Sequence, residues 1–130
     1  MRCDANQVIR RCLIVDDNER FLAAAHASLQ REGLEVVGTA KTIAEALAKV
    51  DELRPDIVLV DIALGQESGF ELTRQIVDSH PDLRARIVLI STRREEDFVD
   101  LITASPAAGF LSKLQLSARA VRELVATGSP

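Results

Sequence analysis

A chain of 130 residues suits one domain that buries roughly two-thirds of the surface its unfolded form exposes. With 47% hydrophobic and 28% charged residues, four Phe and no Trp or Tyr, its core must be aliphatic. A net charge of -4 argues against a nucleic-acid surface, and no apolar run suggests a membrane span or signal peptide, so a cytoplasmic protein is expected.

Residues 1–10 show no periodicity and read as a mobile leader to a domain over 11–127, with 128–130 as a tail. The first strand is Cys12-Leu13-Ile14-Val15, which runs into Asp16-Asp17. A helical pattern over about 18–31 puts Phe21, Leu22, Ala25 and Leu29 on one face and stops at Gly33, a C′ residue. Its His26 reads as a surface or boundary residue. The second strand, 35–40, is mixed in polarity, as an edge strand would be. Thr42-Ile43-Ala44-Glu45 fits a capping box and opens a helix that buries Ile43, Leu47 and Val50 before Pro55.

The third strand, Ile57-Val58-Leu59-Val60, is apolar throughout and ends in Asp61. Ser68-Gly69-Phe70-Glu71 fits a second capping box, for a helix carrying Leu72, Ile76 and Val77 as far as His80-Pro81. The fourth strand, Ile87-Val88-Leu89-Ile90, leads to Ser91. A short helix over about 95–104 follows, acidic where its dipole favours negative charge. Gly109-Phe110-Leu111-Ser112 is a fifth strand that delivers Lys113, and a last helix covers about 117–126. Of the two cysteines, Cys12 reads as a small buried hydrophobe and Cys3 lies in the leader. Their spacing suggests no zinc site and fits a reducing compartment.

Strands alternating with helices indicate right-handed βαβ units. The expected fold class is α/β, a doubly wound five-stranded parallel sheet, flavodoxin-like in the order 2-1-3-4-5, with five helices. Ligands of such sheets bind at the carboxyl ends of the strands, beside the switch point between strands 1 and 3. Asp16, Asp17 and Asp61 fall there, with Ser91 and Lys113 on the same edge.

Carboxylates about 5 Å apart repel by about 3 kcal/mol at an effective dielectric of roughly 20. Magnesium, a hard cation that leaves sites for phosphate oxygens, relieves that repulsion, as does the ammonium of Lys113. A carboxylate so flanked is a nucleophile toward phosphorus, giving an aspartyl phosphate, with Ser91 donating to a phosphoryl oxygen. Singly, each group has a plainer reading: a helix cap for Asp16-Asp17, a loop carboxylate for Asp61, a turn former for Ser91, a solvated lysine for Lys113. Their shared position at strand ends argues for one site.

The landmarks Val15-Asp16-Asp17, Val60-Asp61, Ser68-Gly69, Ile90-Ser91 and Gly109-Phe110-Leu111-Ser112-Lys113 are spaced by 44 residues from Asp17 to Asp61, 30 to Ser91 and 22 to Lys113. In these the chain, over about 11–126, resembles the receiver domain of response regulators in two-component signalling. The resemblance implies that Asp61 accepts phosphoryl from a sensor histidine kinase or a histidine phosphotransfer protein, helped by Lys113 and Ser91. It implies a Mg2+ cofactor held by Asp17, Asp61 and the backbone carbonyl of Ala63, with Asp16 acting through water. Ser91, Thr92 and Phe110 would form the switch, Phe110 swinging inward after phosphorylation. The fourth helix, fifth strand and fifth helix would present the face used for a homodimer or a downstream protein. Such a domain is a phosphoacceptor module that assists its own phosphorylation and dephosphorylation, not an enzyme, and neither nucleic acid nor membrane is implied as a direct partner.

Several residues depart from the family's commoner pattern. Thr92 replaces a smaller residue beside Ser91. Leu114 replaces a proline, so Lys113-Leu114 is expected to be trans. Gly65 replaces another proline, which would loosen the loop after Asp61. Ala63 cannot orient a hydrolytic water and Arg93 could cover the phosphoryl group or fold away, so a long-lived phosphoryl state is expected. The run Arg93-Arg94-Glu95-Glu96-Asp97 reads as a solvated helix start on the partner face.

An end at Thr127-Gly128-Ser129-Pro130 suggests a stand-alone adaptor or relay, the alternative being the receiver piece of a transcription factor. A Mg2+-dependent phosphohydrolase would want a carboxylate where Ala63 stands. An FMN binder would want a neutral phosphate-binding loop in place of Asp16-Asp17.

Overall fold

A computed structural model describes residues 11–93 and 95–128, so the expected leader and the last two residues of the tail lie outside the described residues. Five strands, β1 (Arg11–Val15), β2 (Glu35–Ala40), β3 (Ile57–Asp61), β4 (Ile87–Ser91) and β5 (Gly109–Ser112), form a sheet in the order β2-β1-β3-β4-β5. Every pairing is parallel, as the sequence pattern predicts. The connecting helices are α1 (Glu19–Arg31), α2 (Ile43–Leu53), α3 (Gly69–Ser79) and α4 (Val99–Ala104), with α5 (Ala118–Gly128) after the last strand.

The unbroken apolar runs follow from helices on both faces of the sheet. Leu13 and Val15 of β1, Val58 and Val60 of β3, and Ile87 and Leu89 of β4 pack with Ala46 and Val50 of α2 and Leu72 and Ile76 of α3. The alternate residues Cys12, Ile14, Ile57, Leu59, Val88 and Ile90 pack with Leu22, Ala25 and Leu29 of α1 and Val121 and Val125 of α5. Cys12 is thus a core residue, and burial pushes its thiol up to about 12. His26 is exposed on α1.

Helix ends follow local chemistry. Gly33, at φ 102°, completes a Schellman motif: its N–H reaches the Gln30 carbonyl and the Leu34 N–H reaches that of Leu29. The two capping boxes form only by half. Thr42 Oγ1 accepts from the Glu45 N–H, but the Glu45 carboxylate takes the N–H of Lys41, one residue before the cap. Ser68 Oγ accepts from the N–H groups of Phe70 and Glu71, while the Glu71 side chain turns to Arg74 and Gln75.

The fourth helix is shorter than the pattern suggests. Glu95–Asp97 make a 3-10 turn, Phe98 leaves helical geometry at φ -131°, and only Val99–Ala104 are α-helical. Phe98 turns inward against the core cluster and Phe70, which breaks the run of helical dihedrals. No side chain caps the helix, and none of its residues is buried. Among the described residues no helix is long and apolar enough to cross a membrane.

Candidate functional site

Parallel strands carry their carboxyl ends to one edge, and the sequence-predicted groups meet there. Asp16 and Asp17 follow β1, Asp61 ends β3, Ser91 ends β4 and Lys113 follows β5. Asp16, Asp61 and Ser91 are buried, whereas Asp17 is exposed. The Lys113 side chain, 13% exposed, crosses the edge to place Nζ 2.5 Å from Asp16 Oδ2 and 3.2 Å from Asp61 Oδ2. One oxygen from each of Asp16, Asp17 and Asp61 lies within 4.8 Å of the others.

Backbone donors hold the second carboxylate oxygen of Asp16 and of Asp61. Asp16 Oδ1 accepts from the Asn18 N–H at 2.8 Å, and Asp61 Oδ1 accepts from the Ala63 N–H at 3.1 Å. Asp16 Oδ2 is buried with no hydrogen-bond donor aligned on it, and its approach to Lys113 is a contact between charges. Three carboxylates against that ammonium leave two negative charges in surplus. Hard oxygen donors, a buried oxygen without an aligned donor and surplus negative charge together fit a divalent cation such as Mg2+.

Electrostatics record the crowding. Burial, chiefly, pushes the Asp61 carboxyl from 3.8 up to about 6; the Ala63 N–H opposes this, the Asp16 charge adds to it, and Lys113 opposes it. Burial works against the Lys113 charge too, but the two aspartates outweigh it and hold the ammonium above its ordinary value.

A raised carboxyl pKa in the folded state contributes stability that is complete below the unfolded value and lost as pH rises through the folded one. Metal-free protein should therefore lose stability as pH rises from about 4 to about 6. Asp61→Asn should remove that slope and stabilise the metal-free protein near neutral pH by on the order of 1 to 2 kcal/mol. Urea denaturation in a chelator checks this, and a destabilised Asn variant would contradict it.

The loop after Asp61 is a small hairpin, Ala63–Leu64 paired with Glu67–Ser68. Gly65, at φ 61°, takes the first central position of its turn, a conformation that suits glycine. Gly69 packs directly against the Asp61 backbone: a Cβ there would lie 2.1 Å from the Asp61 carbonyl oxygen. Lys113-Leu114 is trans.

The switch candidates are less closely gathered. Ser91 Oγ accepts from the Arg93 N–H at 3.0 Å, and Thr92 is exposed. The Arg93 guanidinium lies 6.0 Å from the centre of the Phe98 ring, folded toward α4. Phe110 is 8% exposed and already belongs to the core cluster, so the inward position expected after phosphorylation is occupied in this structure.

Two site neighbours were missed in the sequence. Asn18 caps α1 by accepting from the Phe21 N–H, and the Phe21 ring centre lies 4.3 Å from Lys113 Nζ. An Asx residue just after Asp16-Asp17 could have signalled the first. The second depends on where β5 brings Lys113.

The family model for the response regulator receiver domain matches residues 12–125. Response regulator GacA of Pseudomonas viridiflava is 36% identical over 104 residues, covering 79% of this chain and 48% of its own. Chemotaxis protein CheY of Thermotoga maritima is 30% identical over 115 residues, covering 88% of this chain and 94% of its own. A solved response regulator protein from Burkholderia pseudomallei, with a phosphorylated aspartic acid, calcium ion and citrate, is 26% identical at a TM-score of 0.76, over 89% of this chain and 66% of that one. The chain spans about half the length of GacA and nearly all of CheY. With the strand order and the converged acidic edge, the match across 12–125 makes this chain a member of the response-regulator receiver domains.

Proposed function

We propose that this receiver accepts a phosphoryl group on Asp61 from a phosphohistidine donor, a sensor histidine kinase or a histidine phosphotransfer protein. The observation that carries the reading is the Asp61 carboxylate at the centre of the edge, held by the Ala63 N–H and the Lys113 ammonium beside two further aspartates. A carboxylate oxygen attacks phosphorus as the P–N bond to the donor imidazole breaks, and the freed ring takes up a proton. Lys113, already on Asp61 Oδ2, neutralises charge gathering on the transferred group, and Ser91 donates to one of its oxygens. Asp17, Asp61 and the Ala63 backbone carbonyl would hold Mg2+, with Asp16 acting through water. Bound there, the ion would offset the negative charge of the carboxylates and of the phosphoryl oxygens.

Incubation with acetyl phosphate and Mg2+, followed by intact mass measurement, tests the assignment. Wild type should gain one phosphoryl group, and Asp61→Asn none. Equal gain by both would sink it.

The phosphoryl state should be long-lived. Ala63 is exposed and carries no group to orient a water, and Arg93 leans on Phe98. Loss of the group should take many minutes without a phosphatase; loss within seconds would contradict this reading.

Output passes, in this reading, through α4, β5 and α5, with Ser91, Thr92 and Phe110 as the switch. Val99 and Leu101 of α4 are 49% and 54% exposed, apolar surface open to a downstream protein or a second copy. A stand-alone cytoplasmic adaptor or relay is the setting supported by the match along nearly all of CheY. The match to half of GacA supports the alternative, a receiver within a longer regulator. The length of the open reading frame separates them.

A further inference from the structure

We propose that Phe21 is a positioning residue for Lys113, its ring face holding the ammonium between Asp16 and Asp61 in the orientation that receives a phosphoryl group. The inference rests on the phosphoacceptor reading above.

Lys113 Nζ has three N–H donors. Asp61 Oδ2 accepts one of them at 3.2 Å, and Asp16 Oδ2, 2.5 Å away, holds the ammonium by charge. The ring centre of Phe21, 4.3 Å away, faces the same nitrogen, within the range where an aromatic face attracts a cation. The placement is built into the chain. The Asn18 N–H binds Asp16 Oδ1, and Asn18 Oδ1 accepts the N–H of Phe21, so one cap ties the ring to the acidic cluster. Phe21 is half-buried against the core, which fixes its ring plane, and with Leu116 it lines a groove of about 250 Å³ that also takes Lys113.

Without the ring, Lys113 keeps its carboxylates but loses its third restraint. The ammonium can then drift toward Asp16, its closer partner, and away from the reacting oxygen of Asp61. A phosphoacceptor needs the opposite bias, because charge develops at Asp61.

The test compares wild type, Phe21→Leu and Phe21→Tyr, all apolar enough for a half-buried site. Two readouts are taken: the rate of phosphorylation by acetyl phosphate at saturating Mg2+, and the NMR shift of the Lys113 ε-methylene protons in the unphosphorylated protein. Phe21→Leu should slow phosphorylation about fivefold while Phe21→Tyr stays within about twofold, since a cation–π contact of ordinary strength is worth that factor. The ε-methylene protons should be displaced upfield by the ring in wild type and Tyr, and not in Leu. A packing role alone predicts that Leu is tolerated at least as well as Tyr, and that result would overturn the proposal. So would an undisplaced Lys113 signal in wild type. A wild type that gains no phosphoryl group contradicts the underlying reading and this proposal with it, and is seen before any variant is compared.

Discussion

Lys113→Met is expected to destabilise the metal-free protein by about 3 kcal/mol, because it leaves buried carboxylates without their counter-charge. Asp16 is fully buried, and Asp61 nearly so. Among the described residues Lys113 is the cation that contacts both. Methionine has the stem length to fill the space but no charge, so the packing stays and the repulsion is released. Phosphoryl acceptance should slow on the order of a hundredfold, the usual cost of removing a preorganised donor from developing charge. Urea denaturation in a chelator and acetyl phosphate kinetics check the two parts. The sign is the informative element, since Asp61→Asn, which removes a negative charge from the same cluster, should stabilise. The double variant should recover part of what Lys113→Met loses, as neighbours in one network do. A Lys113→Met protein as stable as wild type would mean that the aspartates do not depend on this ammonium.

Gly69→Ala is the second large effect, and its cause is steric. A Cβ at Gly69 would stand 2.1 Å from the Asp61 carbonyl oxygen and 2.9 Å from both the Asp61 carbonyl carbon and Ile62 Cα. All three are backbone atoms at the end of the central strand, and the Gly69 N–H is bonded to the Ile62 carbonyl at 2.8 Å. No side chain can rotate away, so either α3 or the end of β3 must shift. The expected loss is about 3 kcal/mol, the upper end of ordinary overpacking costs. Phosphorylation should weaken as well, because the atoms displaced belong to Asp61 itself. Urea denaturation checks the stability, and a loss below about 1 kcal/mol would show that the loop yields more easily than its geometry implies.

The sheet was legible because its physics is local. Residues such as Ile57 and Leu59, facing one helical layer, and Val58 and Val60, facing the other, make the unbroken runs of a two-sided strand. Parallel direction then forces Asp16, Asp17, Asp61, Ser91 and Lys113 onto one edge. Less legible were features decided by tertiary contact. Phe98 interrupts the fourth helix because it packs inward, which helical periodicity over 95–104 does not reveal. Glu45 and Glu71 chose partners other than the cap N–H groups offered by their own helices. Phe21 belongs to the apolar face of α1, as its spacing says, yet its ring also meets a lysine 92 positions on in the chain, which no local pattern encodes.

The central claim is that one carboxylate, Asp61, becomes an acyl phosphate. Borohydride reduction after treatment with acetyl phosphate and Mg2+ converts an aspartyl phosphate to homoserine, and peptide mass mapping locates the change. Homoserine should appear at Asp61 and at neither Asp16 nor Asp17, and only when Mg2+ is supplied. Homoserine at another aspartate, or none after demonstrable phosphorylation of the protein, would contradict the account.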